Sequence, residues 1–228
     1  MKTRFPLRTL LFAALAGAAT MANAGSRMSV ETTVYEWTEE EGDEAGYAVS
    51  SMPEMSPALA SFGPFNVVSA DRAELNGSIE SETPDQFAAM LRAFPSIRRI
   101  DMIDCPGTGD DEANFTVAHM LRKAGISTNV PKGGSVRSGG VELFLAGVKR
   151  HADPDAEFAV HSWMDTDGME ADDFAENDPI HQPYLAFYRE IGMTPEKAKA
   201  FYTMTNSKNH DDALYLKSRD IAAYIPLD

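Results

Sequence analysis

The chain has 228 residues and a formal charge of −15, with 35 acidic against 20 basic side chains. This length suits one domain with a full hydrophobic core. The negative charge disfavours nucleic acid and anionic membrane surfaces as partners, so basic peptides or cations match the chain better. Its one cysteine, Cys105, excludes an internal disulfide and lies in an apolar segment, which predicts a buried, inert thiol.

The first 24 residues have the pattern of a cleavable secretory signal. Lys2, Arg4 and Arg8 precede a short apolar run, and residues 22–24 form a small-residue cleavage site. That run is shorter than the roughly 20 residues that cross a bilayer. We therefore predict export to the periplasm or the extracellular space, with no membrane span after cleavage. Removing three cations and no anions would take the charge from −15 to −18.

The remaining chain divides into a polar extension and a main domain. Residues 25–63 are acidic and poorly periodic, whereas strands and amphipathic helices alternate through residues 64–228. The first helix begins at Thr83, with proline at its next position. Strands are predicted at residues 66–68, 73–79, 99–104, 126–130 and 156–160. Such alternation predicts an α/β fold with a mostly parallel sheet.

Three chemically suggestive segments stand where predicted strands end. The turn Gly107-Thr108-Gly109 follows the strand at 99–104, and the glycine-rich turn at 133–140 contains Ser138. His161 closes the strand at 156–160. Because the carboxyl ends of parallel strands share one edge of a sheet, we expect these segments to meet.

Together these residues predict nucleophilic catalysis by a serine. Ser138 is the candidate nucleophile and His161 its base, while Asp212, or Asp211 as the alternative, would orient the histidine. The oxyanion would be held by the backbone N–H of Gly139 at a helix start, and by the turn at Gly107 and Thr108. Taken alone, a serine in such a turn is more often a helix cap than a nucleophile, since serine is favoured at helix starts. We expect no cofactor and no metal in this chemistry.

The order of these motifs resembles the proteolytic subunit of Clp protease (ClpP) and its relatives in the ClpP/crotonase fold. The segment 104–107 resembles that family's Asn-Ser-Pro-Gly-Gly turn, and residues 134–140 resemble its Gly-x-Ala-Ala-Ser-Met-Gly helix start. The segment 159–161 resembles its Met-Ile-His, and residues 215–228 resemble its C-terminal ending. The resemblance covers residues 65–228, which is most of the mature chain.

This resemblance implies repeated β-β-α units, a Ser-His-Asp triad and a helical handle at residues 164–205. In Clp proteases the handle packs rings together, so it implies a homo-oligomer here. Three positions depart from the family: Thr108 replaces a glycine, Gly139 follows the nucleophile, and Ser162 follows the histidine. Counted back from Tyr215, the family's aspartate position falls on Ala213 rather than on Asp212.

Residues and resemblance together predict an exported serine endopeptidase that hydrolyses short or unfolded peptides through an acyl-enzyme. The alternative is a catalytically inactive relative that keeps the fold for binding or assembly. Acyl-thioester chemistry, as on the crotonase branch, is a third reading, and an exported protein would not normally meet coenzyme A.

Overall fold

A computed structural model describes residues 52–228. The predicted signal at residues 1–24 and most of the predicted extension lie outside the described residues. The sheet begins at Ala60, four residues before the predicted domain start at residue 64. Just before that strand, the Ser56 side chain and backbone N–H both donate to the Glu74 carboxylate. Part of the predicted extension therefore packs onto the domain.

Nine strands of the described chain form one sheet. They are β1 (Ala60–Phe62), β2 (Phe65–Val67), β3 (Arg72–Asn76), β4 (Arg99–Cys105), β5 (Ser127–Val130), β6 (Ser135–Arg137), β7 (Arg150–Ala152), β8 (Glu157–Val160) and β9 (Leu214–Leu216). Strands β3, β4, β6 and β8 are neighbours and pair in parallel, while the pairs β1–β2, β2–β3 and β8–β9 are antiparallel. The predicted α/β fold with a mostly parallel sheet is confirmed.

Strand β4 is shared between two neighbours along its length. Its first residues pair with β5, which continues the sheet to β7, whereas Asp104 and Cys105 pair with Ser135 and Val136 of β6. The carboxyl end of β4 is thereby placed beside the carboxyl ends of β6 and β8. This arrangement brings the three predicted site segments to one edge of the sheet, as expected for parallel strands.

Six α-helices accompany the sheet in residues 52–228: α1 (Thr83–Ala93), α2 (Asp111–Lys123), α3 (Gly140–Leu145), α4 (Gln182–Glu190), α5 (Pro195–Thr205) and α6 (Ser218–Ala222). Two 3-10 turns, Ala171–Asp173 and Pro179–His181, precede α4. Helix α2 is capped by Asp110, whose side chain accepts from the Ala113 N–H at 3.0 Å. None of these helices is both long and apolar enough to cross a membrane.

The core lies between the sheet and these helices, and it includes residues of the predicted handle. Phe187 and Tyr188 of α4 and Phe201 of α5 are buried in the same cluster as the strands. Cys105 is fully buried, and burial raises the pKa of its thiol to about 12. The predicted buried thiol is therefore confirmed, and at this pKa it stays protonated and inert.

Two local features differ from the sequence-based prediction. Residues 135–137 form β6 rather than part of a turn, because their backbone pairs with β4 and β8. The Ser135 and Arg137 side chains also donate to Glu157 and Asp104 on those strands. These partners are remote in sequence. The three residues themselves include one apolar side chain, Val136, which is too little to predict a strand. The spacing of Val141, Phe144, Leu145 and Val148 predicts one inward face of the third helix. Helix α3 ends at Leu145, however, and Val148 beyond it is 45% exposed.

Candidate active site

Ser138 occupies a sharp turn between β6 and α3. It has a positive φ of 49°, the only such value for a non-glycine residue among residues 52–228. Its backbone N–H donates to the Ala159 carbonyl at 2.8 Å, and its carbonyl accepts from Val141 at 2.9 Å. These bonds hold a conformation that costs an L-residue about 1–3 kcal/mol. A strained serine on a strand-to-helix turn is typical of an exposed nucleophile.

Gly107, at the end of β4, lies directly against Ser138. A Cβ added at Gly107 would stand 2.9 Å from the Ser138 Cβ and 3.4 Å from its Oγ. Gly107 also has a φ of 136°, which favours glycine. The turn at 107–109 and the turn that contains Ser138, which were predicted to meet, therefore lie in direct contact.

Backbone donors surround this point. Within residues 52–228 the N–H groups of Gly107, Thr108 and Gly139 have no hydrogen-bond acceptor. Gly139 is the N-cap of α3, where N–H groups are unpaired by geometry. Because Gly107 and Gly139 both adjoin Ser138, one from each side, their N–H groups are the best placed to hold an oxyanion there.

Two of the departures from the resembling family compensate each other. A side chain at position 139 would collide with the Thr108 methyl group. The Thr108 hydroxyl faces away from the site, 3.0 Å from the Ile79 carbonyl oxygen, and it accepts from the Asp110 N–H at 3.0 Å. Thr108 thus fills the space that a residue larger than Gly139 would need, and the turn keeps its N–H groups.

His161 follows β8 and lines the same pocket as Ser138 and Gly139. Its Nδ1 lies 2.8 Å from the Ser162 carbonyl oxygen. Since a carbonyl only accepts, Nδ1 carries the proton and Nε2 is left free to act as a base. The ring of His210 stands perpendicular to that of His161, with 4.7 Å between centroids, and its Nδ1 is 3.2 Å from the same oxygen.

No hydrogen bond joins Ser138 and His161 in the described part of the chain. Catalytic hydrogen bonds in free enzymes are often long and tighten only when substrate binds. Ser138 and His161 line the same pocket, and the contact of Nδ1 with the Ser162 carbonyl leaves Nε2 unprotonated, as a base requires.

The predicted orienting acids lie elsewhere. Asp212 is exposed, with one oxygen 3.0 Å from Lys208 Nζ and the other accepting from the Ala213 N–H at 2.7 Å. The hydrogen bond from Lys208 holds the pKa of Asp212 below its usual range. Asp211 is also exposed, and neither aspartate lines the pocket. The structure brings Ser138, Gly107, Gly139 and His161 together. The hydrogen-bond partner of His161 Nδ1 is the Ser162 carbonyl oxygen. These contacts do not test the predicted orienting role of Asp212 or Asp211, and substitution of each aspartate is the test.

Residues that the sequence analysis did not single out line the pocket behind Ser138. Glu142, in the first turn of α3, is 6% exposed and accepts from the Tyr188 hydroxyl at 2.5 Å. Asn114 of α2 donates from Nδ2 to the Gly139 carbonyl at 2.7 Å. The sequence carries one signal for this site, since Glu142 interrupts an apolar run just after Ser138. The contact of Glu142 with Tyr188, which is 46 residues away, has no local signal.

Burial raises the pKa of Glu142 to about 7, from an ordinary value of 4.5. Since the folded state then holds a proton that the unfolded state releases, stability is fully present below pH 4.5 and falls as pH rises to about 7. This loss amounts to about 3 kcal/mol. We expect Glu142→Gln, which keeps an oxygen for Tyr188, to remove it. Urea unfolding of both proteins from pH 4.5 to 8 measures the difference, and parallel pH profiles would contradict the assignment.

Comparisons with known proteins bear on the fold. No protein-family model matches the sequence, and no curated protein matches it. A ClpP1 mutant from Listeria monocytogenes is similar in structure, with a TM-score of 0.50 and 20% identity over 69% of this chain and 89% of that chain. The ClpP protease catalytic domain from Plasmodium falciparum gives a TM-score of 0.47 and 15% identity over 68% and 81%. A 1510-N membrane-bound stomatin-specific protease mutant gives 0.47 and 18% over 68% and 75%.

The likeness to the Listeria ClpP1 covers most of both chains. It agrees with the mostly parallel sheet described above. The chain therefore has the ClpP-like fold.

Proposed function

We propose that this protein is a serine endopeptidase, in which Ser138 attacks a peptide carbonyl and His161 takes its proton. The observation that carries the proposal is the turn at Ser138: a strained serine with φ 49°, packed against the Gly107 backbone and sharing a pocket with His161. Neither a helix cap nor a buried structural serine needs this strain.

The reaction follows from these positions. His161 Nε2 accepts the Ser138 proton as Oγ bonds to the carbonyl carbon, and the N–H groups of Gly107 and Gly139 stabilise the oxyanion. The imidazolium then gives that proton to the leaving amine. Water hydrolyses the acyl-enzyme by the same route, with His161 again as base.

In this proposal the Ser162 carbonyl orients His161 in place of a carboxylate. Its 2.8 Å contact with Nδ1 selects the required tautomer. A carbonyl stabilises the imidazolium less than a charged aspartate, so the enzyme would be slower than one with a full triad.

We expect Asp212→Asn to change kcat/KM by less than about threefold, because its carboxylate is held by Lys208 in the described structure. Where a triad aspartate acts, the same change lowers kcat by about 10⁴-fold. The measurement is peptide hydrolysis by the two proteins, with Asp211→Asn as the matched control. A loss of a thousandfold for either variant would assign that aspartate to the triad.

A second candidate function is a non-catalytic binding or assembly module. The favouring observation is that the Nδ1 of His161 contacts a carbonyl and not an acid. A fluorophosphonate probe separates the two, since it reacts with an activated serine whatever the peptide preference. Stoichiometric labelling supports the peptidase, and none after prolonged exposure supports the binding module.

Export and assembly are two further parts of the proposal. The basic and apolar pattern of residues 1–24 supports export, and the position of α4 and α5 between β8 and β9 supports a handle that joins copies. Fractionation of cells expressing the chain with and without residues 1–24 tests the first. Sedimentation of the mature protein tests the second.

A further inference from the structure

The pocket that opens beside Ser138 has an acidic, amide-bearing wall. Glu142 lines it from the first turn of α3, and Asp111 lines it from the start of α2. No lysine or arginine of residues 52–228 lines this pocket, and no salt bridge neutralises Glu142. The pocket therefore offers carboxyl oxygens without a resident cation.

Asn114 adds an unpaired acceptor to the same wall. Its side chain is 2% exposed, and its Nδ2 is fixed by the 2.7 Å bond to the Gly139 carbonyl. That bond leaves Oδ1, which is buried and has no hydrogen-bond partner in the part of the chain that the structure describes. Buried acceptors are almost always paired with a protein group, a ligand or an ordered water, so this oxygen offers a place in the pocket wall for a donor.

Aromatic rings complete the enclosure. Trp163, Tyr184 and Tyr188 line the pocket, and the Trp163 and Tyr184 rings are stacked with an interplanar angle of 10°. Such faces attract a cation and pack against the methylene groups of an extended side chain. Tyr188 and Tyr184 already donate their hydroxyls to Glu142 and Asp111, which fixes both carboxyl groups in place.

We propose that this pocket binds the basic side chain, lysine or arginine, of the residue whose carbonyl Ser138 attacks. The inference rests on the proposed function for the position of that carbonyl. The cation would be received by Glu142, with the Asn114 Oδ1 as a second acceptor and the aromatic rings around its stem.

This chemistry discriminates against other side chains. An apolar residue of the same length would fill the pocket but leave the Asn114 oxygen unpaired and give the Glu142 carboxyl no cation beside its bond from Tyr188. An acidic residue would face like charge. The preference for lysine over norleucine, its uncharged counterpart, should be about tenfold to a hundredfold, the factor expected from a charge-assisted hydrogen bond.

Binding to the Ser138→Ala protein tests the inference without any need for catalysis. The probes are two acetylated tripeptides, Ala-Ala-Lys and Ala-Ala-norleucine, each with a free carboxylate, titrated at pH 8 where Glu142 is ionised. We expect the lysine peptide to bind at least about tenfold more tightly. In the Glu142→Gln, Ser138→Ala protein the ratio should fall to about one.

The matched control is Glu196→Gln in the same background, which removes one fully exposed charge elsewhere. It should keep the lysine preference, which separates a pocket contact from the attraction of a negatively charged protein. Equal binding of the two peptides, or no binding of either at millimolar concentration, would overturn the inference. A preference lost equally in both Gln variants would also do so. Fluorophosphonate labelling of the Ser138 protein reports on the peptidase itself, so the two proposals fail separately.

Discussion

Ser138→Ala is expected to reduce peptide hydrolysis by at least about a thousandfold, to the background of the assay. Removal of a serine nucleophile in a protease of this chemistry costs up to about 10⁶-fold in kcat, because no other group forms the acyl-enzyme. Alanine is an L-residue like serine and bears a similar cost at a φ of 49°, so we expect the variant to fold as the parent does. Release of a fluorogenic product from a peptide ending in lysine measures the loss.

The matched control for this change is Ser135→Ala. Ser135 belongs to β6, three residues earlier, and its hydroxyl donates to Glu157 while Arg137 donates to it. Its loss should lower stability slightly and leave kcat within a few-fold. Equal activity losses in the two variants, or full activity in Ser138→Ala, would remove Ser138 from the reaction.

Gly107→Ala is expected to lower kcat by about a hundredfold to a thousandfold, the usual cost of losing one oxyanion donor. The added Cβ would lie 2.9 Å from the Ser138 Cβ, and the φ of 136° is unfavourable for alanine. The turn must therefore move, which takes its N–H away from the reacting carbonyl. Steady-state kinetics should show a fall in kcat larger than any rise in KM.

Gly192→Ala separates this effect from simple destabilisation. Gly192 has a φ of 111°, and a Cβ there would meet nothing within 4 Å. Both variants should lose thermal stability, but only Gly107→Ala should lose activity at temperatures where both are folded. If Gly192→Ala lost as much kcat, or Gly107→Ala kept it, the Gly107 turn would not hold the oxyanion.

Much of the fold could be predicted because its signals are local. The proline after Thr83 and the apolar spacing in α1 reflect the chain's own geometry, as does the alternation of strands and helices. The meeting of Gly107 and Ser138 was also accessible, since parallel strands place their carboxyl ends on one edge. The order of strands and turns along the chain was enough to predict this contact.

The parts that could not be predicted depend on contacts between distant residues. Strand β6 has one apolar residue and is held by partners on β4 and β8. The burial of Glu142 depends on Tyr188 of α4, which lies 46 residues away along the chain and donates its hydroxyl to the Glu142 carboxyl. Asp212 lies one residue from the position that the resemblance indicates, and a shift of that size in an exposed turn decides whether a carboxylate reaches His161 or Lys208.

The compensation between Thr108 and Gly139 illustrates the same point. Read separately, each substitution removed a feature of the resembling family. In the structure the Thr108 methyl occupies the volume that Gly139 leaves open, so the two changes preserve the turn together. Such pairing becomes visible only when the ends of β4 and β6 are placed side by side.

If His161 activates Ser138, a reactive phosphonate should form a covalent adduct at that serine, and the site of the adduct can be measured. The mature protein is treated with a fluorophosphonate, digested and examined by mass spectrometry, with His161→Ala in parallel. We expect one phosphonyl group, on Ser138, and labelling at least about a hundredfold slower in the variant. An adduct on another residue, or equal labelling rates with and without His161, would contradict it.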